Sequence, residues 1–226
     1  MFDFTAIWHD VLQYRVQIGE AIGETFMMVG ISLAAAILLG FPLGTLMFLT
    51  GKGQLYEHRG WSAVLNSAVN IVRSFPFLLL VVFMIPLTRL IVGTAIGTLA
   101  ASVPLAIVAV AIYSRFVEQS LLEVPRGVME AARAMGASKL AIIFKFLLVE
   151  ARSGLVLGLT SSTISFISYS TVMGVVGGGG VGDFAIRYGY QRFETELMVA
   201  VIVLMIILVQ GIQLAGNTIS RRLDKR

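Results

Sequence analysis

The sequence has no cysteine, only two histidines and little charge, with Asp, Glu, Lys and Arg making up 13% of its 226 residues. The missing thiols exclude disulfides, Cys-based metal sites and thiol nucleophiles. The shortage of charge excludes more, because a soluble domain carries roughly 25% charged residues; most of this chain avoids water. The net charge of +4 comes without a soluble basic domain to carry it, so nucleic-acid binding has no surface to rest on. Met1-Phe2-Asp3-Phe4 is acidic rather than basic, and no small-residue cleavage site follows a short apolar run, so no secretory leader is expected.

What the chain does have is long apolar runs, with 57% hydrophobic residues and a mean hydropathy of +0.88. A bilayer core about 30 Å thick needs roughly 20 apolar residues per helix. Five spans are expected, at about 26–49, 62–87, 94–117, 154–176 and 197–215. Basic residues orient them. Lys52 and Arg59 follow span one; Arg115, Arg126, Arg133, Lys139, Lys145 and Arg152 lie between spans three and four; Arg221, Arg222, Lys225 and Arg226 end the chain. With five spans all three segments share one side, which loop Lys and Arg make the cytoplasm. The N-terminus, with Asp3, Asp10, Glu20 and Glu24, is then outside and the C-terminus cytoplasmic.

Polar groups within spans seek the bundle interior. Span four holds eight hydroxyl residues between Thr160 and Thr171, including Ser165 and Ser168, and reads as lining a hydrophilic path. Each hydroxyl alone is better explained by a bond to its own backbone or a neighbouring helix; the density along the whole helix points to the path. Arg73 is expected about two turns into span two, either as a functional intramembrane charge or snorkelling to headgroups. Pro76 and Pro86 should bend that span. Glycines four apart (Gly40 and Gly44, Gly93 and Gly97, Gly154 and Gly158) allow close helix contact. Gly177-Gly178-Gly179-Gly180-Val181-Gly182 lacks the Lys-Ser/Thr of a P-loop and reads as a flexible or tightly turning break.

The segment 118–150 is long for a connection and is patterned. Pro125 can open a helix, Gly136 can close it, and Ser138 can cap the next. Val128, Met129, Ala132 and Met135 share one face, whose small and flexible side chains suit a protein groove.

Glu130-Ala131-Ala132-Arg133-Ala134-Met135-Gly136-Ala137 resembles the EAA signature of ABC importer permeases. Asn70-Ile71-Val72-Arg73-Ser74-Phe75-Pro76-Phe77, Met84-Ile85-Pro86-Leu87-Thr88-Arg89, Tyr169-Ser170 and Tyr188-Gly189-Tyr190 are similar to the methionine-type permeases within that family. The resemblance implies an all-α polytopic membrane protein, one permease domain over residues 1–226, in the bacterial inner membrane. It implies a homodimer, a cytoplasmic ABC ATPase dimer, and an extracytoplasmic substrate-binding protein, which in one form is a lipoprotein. The chain is then no enzyme: ATP and Mg are bound by the partner, and no cofactor or metal is expected here. Val128, Met129, Glu130, Ala131, Ala132, Arg133, Met135 and Gly136 would couple to the ATPase. Ser165 and Ser168 would line the path, with Val172 and Met173 as its apolar gate. Asp183, Arg187, Arg192, Glu194 and Glu196 are candidates for docking the binding protein. The implied substrate is methionine, the L form and by extension the D form.

Two departures stand out. The family continues the signature with Leu-Pro-x-Ala-x-Pro, where this chain has Leu148-Val149-Glu150-Ala151-Arg152-Ser153; its entry to span four should be straighter. Val172 also stands where the methionine-type pattern has Met. The rival reading is a stand-alone carrier or channel. Such proteins place acidic or His residues within spans, and the cores of these spans have none.

Overall fold

The computed structural model describes residues 11–224, all helices and turns with no strand among them. The chain forms two compact units, one of Met1–Ala34, Phe75–Ile107 and Thr163–Ile212, the other of Ala35–Ser74, Val108–Ser162 and Gln213–Arg226. Four long helical rods contribute a segment to each unit.

The first rod is α1 (Arg15–Ala35), a widened π turn (Ala36–Gly40) and α2 (Phe41–Thr50). It starts 11 residues before the expected Phe26. The second expected span is not one helix. α3 (Arg59–Ser74) stops, Pro76 takes a non-helical ψ of 126°, and α4 (Phe77–Phe83) begins afresh. Proline has no N–H and pushes the residue before it out of the helical region, so a break replaces the expected bend. Pro86 only opens α5 (Ile85–Val92), which Gly93 closes at φ 84°. The third span is α6 (Thr98–Leu122), shifted toward the C-terminus because Gly97 turns at φ 101°. Arg115, grouped with the connection by the charge pattern but within the expected bounds of the span, lies inside this helix.

After α6 come α7 (Arg126–Ala134), the short α8 (Lys139–Ala141), a π turn (Ile142–Leu147) and α9 (Leu148–Val175). From Lys139 to Val175 the backbone stays helical, with a π segment at Ile142–Leu147 between the α-helical parts. Then follow α10 (Gly180–Phe184), a π turn (Ala185–Tyr190) and α11 (Thr195–Leu223). Arg221 and Arg222, expected in a tail, end this helix.

Among the described residues three helices are long and apolar enough to cross a membrane (Arg15–Thr50, Thr98–Leu122, Thr195–Leu223), or four if α3 and α4 count as one broken span. α9 is as long, at 28 residues, but its hydroxyls lower its hydropathy. Of the three, α6 buries 61% of its apolar window and α11 only 11%. α6 therefore supplies core residues to both units, and α11 presents most of its surface outward.

In the first unit Met28, Val81, Ala101, Leu105 and Met173 form one core, and Ala21, Val181, Phe184, Leu197 and Val201 another. In the second, Met47, Val69 and Ala111 pack together. Because lipid is as apolar as these side chains, their cohesion comes from close packing rather than from escape from water. Glycine makes that possible: a Cβ on Gly44 would fall 2.2 Å from the Ser114 carbonyl oxygen, and one on Gly40 2.9 Å from that of Val110.

Candidate functional site

The helix carrying the signature is built by local signals. Pro125 sits at its N-cap with an extended backbone. At its end the Ala137 N–H donates to the Ala132 carbonyl at 3.1 Å and the Gly136 N–H to that of Arg133 at 2.9 Å. Those two bonds make a Schellman stop, which needs a left-handed residue; Gly136 supplies it at φ 74°. Ser138 then accepts the Ala141 N–H at 3.2 Å, capping the next helix.

The structure divides the residues of the expected partner-facing stripe by burial. Ala132 is 0% exposed, and Val128 and Met129 are half-buried, because this face packs on the chain's own Ile142–Leu147 turn. Met135, beyond the last helical residue, is 68% exposed. Arg126, Glu130, Ala131, Arg133 and Ala134 are exposed, with Met135 at the tip. The apolar face packs on the rest of the chain and the charged face points outward.

The first unit holds an open cavity of about 610 Å³. Ser168, Thr171 and Val172 of α9, Val181 of α10, and Met205 and Gln210 of α11 are among its walls. Ser165 is half-buried one turn before Ser168. The structure separates the two gate candidates: Val172 lines the cavity, whereas Met173, 3% exposed, points into the core with Met28 and Leu105. The hydroxyls bond mostly within their own helix. Ser168 donates to the Ile164 carbonyl at 3.2 Å and Thr171 to that of Ser168 at 2.7 Å. Their donors are thus occupied, and the wall offers weak acceptors, methyl groups and the Gln210 amide but no charge.

The glycine run turns tightly. Gly177, Gly179 and Gly180 have φ of 84°, 77° and 80°. A Cβ on Gly182 would lie 2.2 Å from the Thr171 carbonyl oxygen, so α10 lies with its backbone against the end of α9. The Glu24 carboxylate accepts the Gly180 N–H at 2.6 Å, and Thr25 Oγ1 accepts that of Val181 at 2.9 Å. In the sequence Glu24 shows only as a charge before the first span; the cap is not legible there, because its partner lies 156 residues away.

The docking candidates are engaged with neighbours. Asp183 pairs with Arg187 and, by that hydrogen bond, raises the guanidinium pKa. The Arg192 guanidinium stands 4.5 Å from the Tyr188 ring centroid. Tyr14 donates to Glu194 at 3.0 Å, which raises the phenol pKa. Glu196 is in the first turn of α11. Arg73 is exposed in the last turn of α3, four turns from its start rather than two, where the helix dipole favours a cation. Its motif neighbour Asn70 accepts Arg115 Nη2 at 2.7 Å, and Arg115 also pairs with Glu118.

Residues 36–226 match the family described as "Binding-protein-dependent transport system inner membrane component". The chain is 47% identical over 206 residues to a probable D-methionine transport system permease protein of Vibrio cholerae, covering 91% of this chain and 92% of that one. It is 39% identical over 181 residues to a methionine import system permease protein of Bacillus subtilis, covering 80% and 82%. A chain of the MetNI methionine ABC transporter, solved in inward-facing conformations, superposes with a TM-score of 0.91 at 41% identity, covering 94% of this chain and 99% of that one. An amino acid ABC transporter solved with histidines superposes at 0.79 with 16% identity, a likeness of fold alone.

Proposed function

This chain belongs to the binding-protein-dependent transport system inner membrane components, and from that premise we propose that it is the permease of an ATP-driven methionine importer. The observation that carries this reading is the identity along nearly the whole chain to permeases named for methionine.

Two copies of the chain form the path, an ATPase dimer binds on the cytoplasmic side, and a substrate-binding protein docks outside. The five-span arrangement holds in this reading, with the broken α3–α4 as span two and α9 as span four. ATP closes the ATPase dimer, which holds the outward face of α7, chiefly Glu130, Ala131 and Met135. α7 thus acts as a lever, whose inner face passes that motion to Ile142–Leu147 and so into α9. The permease then rocks between inward-open and outward-open states, alternating access without a hydrolytic site of its own. Val172 gates the path and Met173 backs it from the core; Ser165 and Ser168 line it.

An uncharged wall also supports the reading. A thioether side chain crosses methyl groups and hydroxyl oxygens without leaving a charge unpaired. Recognition of the amino acid's ammonium and carboxylate falls to the binding protein.

The test is uptake of labelled L-methionine into proteoliposomes holding the permease, its ATPase and its binding protein. Uptake should need internal ATP and the external binding protein, and unlabelled D-methionine should compete. Uptake driven by an ion gradient without ATP would favour the carrier reading instead.

A further inference from the structure

Resting on the importer reading, we propose that Arg152, Ser153, Ser220 and Leu223 form a polar latch fastening the end of α11 to the start of α9, so that a push from the lever moves both helices as one body.

The latch stands where this chain departs from the family pattern. A proline at 153 would have no N–H and no hydroxyl. Ser153 has both, and its Oγ lies 2.8 Å from Ser220 Oγ, while Ser220 Oγ donates to the Ser153 carbonyl at 3.1 Å. Ser220 is 3% exposed, so water offers no ready replacement for these bonds. Arg152 Nε donates to the Leu223 carbonyl at 2.9 Å. Leu223 ends α11, so that carbonyl has no partner within its helix and carries the negative end of the helix dipole. A guanidinium there answers both needs. Glu123, Glu150 and Asp224 line the adjoining cavity of about 380 Å³ with Arg152, so the cation stands among carboxylates.

One turn and more along, a Cβ on Gly216 would lie 2.1 Å from Thr160 Oγ1. Thr160 faces Gly216, Ser153 faces Ser220 and Arg152 faces Leu223: residue numbers rise along α11 as they fall along α9. The contact is thus a continuous antiparallel seam, not one chance bond. Its α9 side follows directly on the Ile142–Leu147 turn that holds the buried face of α7. The path runs from lever to turn to α9 and sideways into α11. Arg152 and Ser153 are positioning residues: they touch neither ATP nor substrate.

The chain has no cysteine of its own, so the test is direct. The Ser153→Cys/Ser220→Cys pair is reconstituted with the ATPase and binding protein, oxidised, and assayed for uptake and hydrolysis together. The oxidised pair should keep uptake per ATP within about twofold of wild type. The open variant, Arg152→Leu/Ser153→Ala, should keep hydrolysis but lose about tenfold in uptake per ATP. Restoring the hydroxyl as Ser153→Thr in the Arg152 background should recover coupling. Arrest of transport on oxidation would overturn the proposal, since the ends would then have to part in each cycle. Unchanged uptake per ATP in the open variant would overturn it too. Failure of the disulfide to form would refute the contact itself. ATP-independent behaviour of the wild type would instead overturn the importer reading and, with it, the latch's part in transmission.

Discussion

At the residue scale the glycines divide by what surrounds them. Gly40 and Gly44 face a backbone, and Gly154 and Gly158 face Ser120 and Phe116; these two pairs are contact points, as their spacing suggested. Gly93 and Gly97 have nothing within 4 Å of a built Cβ, and their φ of 84° and 101° makes them turn residues. The spacing looked the same in all three pairs. Substitution should separate them. Gly44→Ala should destabilise the solubilised protein by about 1–3 kcal/mol, since the Ser114 carbonyl cannot yield as a side-chain end can. Gly30→Ala, within α1 and with open space around its Cβ, should be neutral or stabilise by up to about 1 kcal/mol. Thermal unfolding in detergent would measure both. Gly136→Val strains a left-handed residue at a cost of about 1–2 kcal/mol. Its main effect should be fewer methionine molecules imported per ATP, read by parallel uptake and phosphate-release assays.

At the element scale the lever and the capped helix follow different rules. The lever's start and stop are local: Pro125, Gly136 and Ser138 act within a few residues, and all were readable in sequence. Which face it buries was not readable. Both Val128-Met129-Ala132 and the outward face contain small residues, and only the presence of Ile142–Leu147 beneath decides between them. The cap on α10 is wholly tertiary. Glu24→Ala should cost about 1–2 kcal/mol of local stability and speed amide hydrogen exchange over residues 180–190, with α6 exchange unchanged. Beside it, the hydrogen bond to Glu194 raises the Tyr14 pKa above the ordinary phenol value of 10.0. The protonated phenol is the donor, so the tie is fully present below that value and is lost as pH rises through the raised one. Ultraviolet titration of wild type against Tyr14→Phe should show one phenol ionising late.

At the scale of the whole molecule, the proposed five-span arrangement would place the connection around Gly53 and the turn at Ala137 on the cytoplasmic side, and Ala95 and Gln191 outside. With no native cysteine, single cysteines at these positions should react with a membrane-impermeant maleimide in intact cells only at 95 and 191. Reaction at 53 or 137 would reverse the orientation. The sequence by itself determined that the chain is helical, that it lives in a membrane, that a short helix opens after Pro125 and closes at Gly136, and to which family it belongs. Those properties come from hydropathy summed over long windows and from proline, glycine and serine acting on adjacent backbone. Only the tertiary structure decided that span two is broken at Pro76, that Val172 and not Met173 meets the cavity, that Glu24 caps a helix far along the chain, and that Arg152 and Ser153 hold the end of α11. In an apolar chain hydropathy is high on every face. It cannot tell a side chain against lipid from one against protein, and the choice falls to contacts between residues that the sequence keeps far apart.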